Sequence, residues 1–263
     1  MTDIGWVGLA LSLLLVVVAV VLSMWERLGL ERGIVWAATR ALAQLLAVGL
    51  VLQVLLEPGV SGWWGWLWVV AMVGIAAVTV QRRAPLVPGI LWLAVLAFAG
   101  SAVVTLGVLF GFGIFELDIR TLIPLAGLMI GNSLAATVLV SRRLVAEFDE
   151  KREEVEARLA LGQPANAAAH PYVRESLRTA LIPQIETTKA VGLIALPGTM
   201  TGLILAGVDP IDAVQVQAAV MYLVLGSVAT TTTVMALGIR RRLFTPDHRL
   251  LRLTSPGPPP AAR

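Results

Sequence analysis

Apolar residues in this chain come in blocks of about 20, separated by short charged turns. At 1.5 Å per residue, 20 residues of helix span the roughly 30 Å hydrocarbon core of a bilayer. Lipid offers no hydrogen-bond partner to an open backbone, so such blocks are helices. The pattern predicts an all-α integral membrane protein with about seven transmembrane helices. The blocks run over residues 4–23, 34–56, 63–80, 89–110, 122–140, 189–207 and 213–237. Only 14% of the 263 residues are charged, far fewer than a water-soluble domain carries. There is no cysteine, which excludes disulfides and thiolate metal sites.

Before the first block only Thr2 and Asp3 are polar, with no basic start and no A-x-A-like cleavage site, so it reads as a retained helix rather than a secretory signal. In the second block, Arg40 and Gln44 are four residues apart and share a face. Arg40 snorkels to the nearby surface, and Gln44 is a candidate for lining a pathway. Trp63, Trp64, Trp66 and Trp68 open the third block as an interfacial belt. In the fifth, Gly127, Gly131 and Ala135 recur every four residues, a small-residue stripe that lets a second helix approach closely. Asn132 and Ser133 beside it serve either helix-to-helix contact or a pathway.

Residues 141–178 are soluble in character. Leu144, Phe148, Val155 and Leu159 fall on one helical stripe, while Glu147 with Lys151 and Glu154 with Arg158 are favourable i,i+4 pairs. Leu161-Gly162-Gln163-Pro164 is a stop signal. The next stretch, 178–207, breaks at Pro183, carries Gln184, Glu186 and Lys189, and breaks again at Pro197-Gly198. Glu186 and Lys189 are close enough to share a face and mark either the water boundary or a hydrated vestibule. Gly198, Gly202 and Ala206 repeat the small-residue stripe. The last block carries Gln215, Gln217 and threonines at 230–233, whose hydroxyls can bond back to their own helix. Asp212 is a candidate cap for it.

Charge sets the expected orientation. All but Arg120 of the 20 Lys and Arg fall on one side if Arg40 and Lys189 join their nearest turns. The N-terminus is then outside, and the C-terminus and the connector between spans 5 and 6 are cytosolic. The expected organisation is a transmembrane permease domain over residues 1–242, with a cytosolic helical insertion at 142–180 and a disordered cytosolic tail at 243–263. No Walker-type phosphate loop occurs, so any ATP-driven work needs a separate subunit.

Three segments are specific enough to suggest a family: GNSLAATVLVSRRL (131–144), EARLALG (156–162) and ALIPQIETTKAVGLIALPGTMTGLILAGVDPIDAVQVQ (180–217). With them, the chain resembles the FetB-type permeases of bacterial ABC transporters assigned to iron export, and their plant relatives linked to aluminium tolerance. Glu156, Ala157 and Gly162, with Leu161, look like the EAA-type coupling segment that docks on the ATPase, although Arg158 stands where that pattern has a further alanine. The resemblance implies a multi-pass protein of the bacterial inner membrane, an ABC ATP-binding partner that holds the ATP and Mg, and a homodimer of permease chains. It implies export of metal ions such as iron, no cofactor on this chain and no nucleic-acid partner. A proton-coupled carrier using Glu186, or a non-transporting membrane scaffold, are the competing readings.

Overall fold

The structure is a computed structural model that describes residues 6–57, 59, 61–192, 196–245, 247 and 249–251. Those residues form nine helices: α1 (Trp6–Trp25), α2 (Glu31–Leu55), α3 (Trp63–Arg83), α4 (Ile90–Gly111), α5 (Ile119–Glu150), α6 (Arg152–Ala160), α7 (Ala165–Ala190), α8 (Gly198–Leu205) and α9 (Pro210–Leu243). An isolated antiparallel bridge pairs Phe244 with Leu250. Six helices, α1–α5 and α9, are long and apolar enough to cross a membrane. The sixth expected crossing, 189–207, is not one continuous helix. It consists of the end of α7, an interruption and the eight-residue α8.

Two compact units divide the chain, Met1–Ser61 and Gly62–Arg263. In the first, Ser23 clasps the turn between α1 and α2. Its hydroxyl donates to Glu31 Oε1 at 2.9 Å and accepts from the Leu30 N–H at 3.3 Å. No residue of α2 is buried.

In the second unit, α3, α4, α5 and α9 share one core, and α7 lies against α5 and α9. Buried alanines at 77, 94, 97, 126 and 236 let the helices come close, with Phe98, Leu122, Met129 and Met235 filling the space between. Hydroxyls add directional contacts: Ser133 donates to Ser227 Oγ, and Ser101 to the Ser227 carbonyl, both at 3.2 Å. Thr230 and Thr232 bond back to carbonyls of α9 as the sequence predicted. Trp63, Trp64 and Trp66 are exposed at the start of α3, as an interfacial belt requires.

Helix α5 has 32 residues, about 48 Å, and so outruns the hydrocarbon core. Asp118 caps it through the Ile119 N–H and forms a capping box with Thr121. Its far end belongs to the main core: Leu144, Phe148, Tyr172, Val173 and Ala180 are continuous with the bundle. After Leu243 the chain turns back, with Leu251 N–H bonded to the Leu243 carbonyl at 2.8 Å and Phe244 packed edge-on against Phe148. The proline-rich remainder, 252–263, lies outside the described residues.

Candidate functional site

Two neighbouring regions carry the candidate residues of the second unit: the elbow between α6 and α7, and the interrupted segment after it.

The elbow begins where α5 ends at Glu150. Lys151, outside helical geometry, turns the chain into α6. Phe148 and Val155 are fully buried and Leu159 is partly so, which fixes α6 by the stripe read from sequence. The predicted Glu154–Arg158 pair forms at 2.8 Å. Glu147, however, pairs with Arg143 rather than Lys151, because α5 ends between Glu147 and Lys151's side chain while Arg143 lies one full turn back on the same helix.

Gly162 closes α6 in the left-handed region, at φ +84°. Its N–H bonds to the Leu159 carbonyl at 3.0 Å, and the Gln163 N–H to the Arg158 carbonyl at 3.1 Å. That pair of bonds is a Schellman cap, which glycine alone adopts without strain. Pro164 then opens α7. The turn leaves Leu161 projecting at 83% exposure, a large apolar side chain on a polar surface.

Tyr172 ties α7 to the elbow. Its ring lies 6.0 Å from Phe148, centroid to centroid, and the Arg158 guanidinium sits over it at 5.8 Å. Arg158, and next the Tyr172 hydroxyl, hold the Glu154 carboxyl below its ordinary pKa. Burial, and next Glu154, push the Tyr172 phenol up, although no hydrogen bond of good geometry is formed by its oxygen. Glu156 is engaged as well: Arg152 Nε pairs with it at 2.8 Å. Ala157 is exposed between them.

In the interrupted segment, Pro183 does not end α7. The helix starts at Ala165, runs through both Pro171 and Pro183, and stops at Ala190. Pro183 still removes one backbone donor. The break comes later, between Val191 and Pro197, with Gly192 at φ +85°; residues 193–195 lie outside the described residues. Pro197 precedes α8, and Gly207 (φ +89°) closes α8 with a second Schellman pair, Gly207 N–H to Ile204 O at 3.0 Å and Val208 N–H to Leu203 O at 3.1 Å. Asp209, not Asp212, caps α9, accepting from the Ile211 N–H at 2.8 Å, with Pro210 at the first helical position.

Glu186 and Lys189 form the ion pair that their spacing predicted, at 2.9 Å, and both are largely exposed. Gln184, on the same helix, is half-buried. Asn132 and Ser133 diverge: Ser133 is buried against Ser227, whereas Asn132 is exposed and its amide donates to its own helix at Leu128 O, 2.7 Å. The first glycine stripe splits too. Gly127 faces Met72 of α3, while Gly131 and Ala135 are exposed. Gly198, Gly202 and Ala206 are all exposed, as is Gln215; Gln217, two residues on, is the buried amide at 6% exposure. Gln44 belongs to the other unit and is exposed on α2.

Sequence reasoning missed two parts. Ser101 and Ser227 complete the hydroxyl seam, and no single-residue signal separates them from other apolar-helix serines. Arg152 reaches the segment after α9, donating to the Leu250 and Leu251 carbonyls at 2.9 and 3.2 Å; nothing in local spacing points to so distant a partner. Among the described residues, no three His, Cys, Asp or Glu side chains gather into a cluster.

The apolar helices, the outward Trp belt and the polar elbow define a multi-pass helical membrane protein. The chain belongs to the uncharacterised protein family UPF0014, whose model matches residues 6–244. It is 33% identical over 244 residues to the probable iron export permease protein FetB of Escherichia coli K12, covering 93% of this chain and 94% of the relative. It is 38% identical over 221 residues to the membrane protein STAR2 of Oryza sativa, covering 84% and 77%. It is 33% identical over 228 residues to the protein ALUMINUM SENSITIVE 3 of Arabidopsis thaliana, covering 87% and 83%. These similarities bear out the family suggested by the three sequence segments. No solved structure matches the chain.

Proposed function

We propose that this chain is the permease subunit of an ATP-driven transporter, and that it exports metal ions such as iron from the cytosol. The observation that carries the reading is the elbow. A rigid, Schellman-capped turn presents Leu161 to solvent at the end of a helix packed into the membrane bundle. A force applied there reaches α5 and α7 through Phe148 and Tyr172. The similarity to a protein named an iron export permease supports the substrate class.

In this reading the chain crosses the bilayer seven times, with the N-terminus outside and the C-terminus in the cytosol of a bacterial inner membrane. The sixth crossing is the interrupted one, built from the end of α7 and from α8 with a break between them. Broken helices put unpaired backbone carbonyls at depth, and hard cations take oxygen ligands. Glu186, Gln184, Asn132 and the Pro197-Gly198 break supply oxygen along that side. Ser133, buried in the seam, serves packing. An ABC ATP-binding subunit docks at Glu156, Ala157, Leu161 and Gly162 and holds the ATP and Mg. Two permease chains pair across exposed small residues at Gly131, Ala135, Gly198, Gly202 and Ala206.

Reconstitution with the ATP-binding subunit tests the reading. Iron(II) or another metal ion is expected to raise ATP turnover and to be transported with it. Transport driven by a pH gradient in the absence of ATP, and abolished by Glu186→Gln, would instead identify a proton-coupled carrier.

A further inference from the structure

Helix α3 passes from apolar to charged at Gln81-Arg82-Arg83, and α5 does so at Ser141-Arg142-Arg143. These two changes lie on opposite walls of one cavity of about 400 Å³, lined by Arg83, Leu86, Ser141, Arg142, Val145 and Asp149. Its volume is in the range of about 300–1,000 Å³ typical of small-molecule sites. Ser141 and Asp149 are eight residues apart on α5, about 12 Å along the axis. The cavity therefore starts at the edge of the hydrocarbon and extends through a headgroup layer roughly 5–8 Å deep on each side.

Its charges are unbalanced. Among the described residues, neither Arg83 nor Arg142 has a carboxylate within 4.0 Å, although Asp149 lines the same space; the next arginine, Arg143, is paired with Glu147. Both guanidinium groups are exposed beside Leu86 and Val145, and the one carboxylate of the lining, Asp149, forms no ion pair with either, so the cavity keeps a net positive charge. A guanidinium binds phosphate in a planar fork, so a phosphodiester fits the charge. A free phosphate would leave the apolar wall facing water. A lipid phosphate sits at this depth already, with its chains continuing into the hydrocarbon along α3 and α5.

We propose that this cavity is a binding site for the headgroup of an anionic phospholipid, clamped between Arg83 and Arg142. The site depends on α3 and α5 crossing a membrane, not on the ATPase reading, so each can fail alone.

The test is native mass spectrometry of the full delipidated chain with added phosphatidylglycerol, phosphatidylcholine or inorganic phosphate. Phosphatidylglycerol is expected to stay bound and to bind at least tenfold more weakly to the R83A/R142A variant. Arg82→Ala, outside the cavity lining, should bind as the parent does. The R83K/R142K variant, which preserves charge and guards against misfolding of the alanine variant, should recover a good part of the affinity. Equal retention of phosphatidylglycerol and phosphatidylcholine overturns the proposal. So does displacement of the lipid by inorganic phosphate at equal concentration, which would make this a free-anion site. Unchanged lipid binding in R83A/R142A, together with loss of the ATP-binding subunit in a pull-down, would give the cavity to a protein partner and equally overturn it.

Discussion

Arg152 Nη2 donates to the carbonyl of Leu250 at 2.9 Å, joining the first residue of α6 to the end of the described chain, 98 residues later. The same guanidinium pairs with Glu156 through Nε. One side chain thus fixes both the orientation of the elbow helix and the returning segment after α9.

Arg152→Ala removes two charge-assisted bonds to backbone carbonyls in a half-buried setting. Such bonds contribute about 1.5–3 kcal/mol when well shielded, and partial exposure lowers this to about 1–2 kcal/mol. Limited proteolysis should cut residues 244–251 several-fold faster in the variant. Arg152→Lys, a single point charge without the fork, should fall between. An unchanged cleavage rate in Arg152→Ala would show that Phe244 and the Leu243–Leu251 bond hold the segment alone.

Gly162 and Leu161 separate strain from contact. Gly162→Ala forces a Cβ into the left-handed region and should lower the elbow's local stability by about 1–2 kcal/mol, read as faster hydrogen exchange in α6. Leu161→Asp, at an exposed site, should leave exchange and thermal unfolding unchanged yet weaken capture of the ATP-binding subunit at least tenfold. Full capture with Leu161→Asp would remove this residue from the docking surface.

The Glu154 carboxyl titrates below its ordinary value because Arg158 and, next, Tyr172 favour its charged form. Its contribution to the α6–α7 contact is therefore complete above the unfolded carboxyl pKa, about 4.3, and is lost as the pH falls through the lower folded value. Exchange in α6, corrected for intrinsic rate, should quicken below that pH in the parent. Glu154→Gln should show a flatter dependence; an identical profile in the two proteins would assign the transition to other carboxylates.

In the bundle, a Cβ on Gly238 would stand 2.7 Å or less from both Leu93 methyls. Gly238→Ala should destabilise the second unit by about 1–3 kcal/mol through overpacking between α4 and α9. Leu93→Val should recover part of that loss in the double variant, a coupling that thermal unfolding in detergent can measure. Additive losses would place the strain elsewhere.

The long apolar helices were legible because hydrocarbon imposes one length and one hydrogen-bonding solution on every crossing. The elbow was legible too: Gly162 followed by Pro164 is a local stop signal, and the Leu144–Phe148–Val155–Leu159 stripe depends only on helical period. Pro183 misled because a proline in a helix removes a single bond, which packing of α7 on α5 and α9 outweighs. The break falls instead between Gly192, in the left-handed region, and Pro197, whose extended backbone precedes α8. The facing of Asn132 and Ser133, adjacent in sequence and opposite in environment, follows from which helices surround α5 and was not readable from α5 alone. The same holds for Arg152, whose partners Leu250 and Leu251 lie about a hundred residues further on, after α9.

The central claim is that a separate ATPase grips the α6–α7 elbow from the cytosol. Because the chain has no cysteine, Leu161→Cys creates a single thiol at the tip of that elbow. Thiol cross-linking in sealed cell membranes measures its neighbour directly. The account predicts a cross-link to an ATP-binding subunit, blocked by prior labelling only with reagents that enter the cytosol. Labelling of the thiol by a membrane-impermeant reagent applied outside intact cells, with no ATPase cross-link, would contradict it.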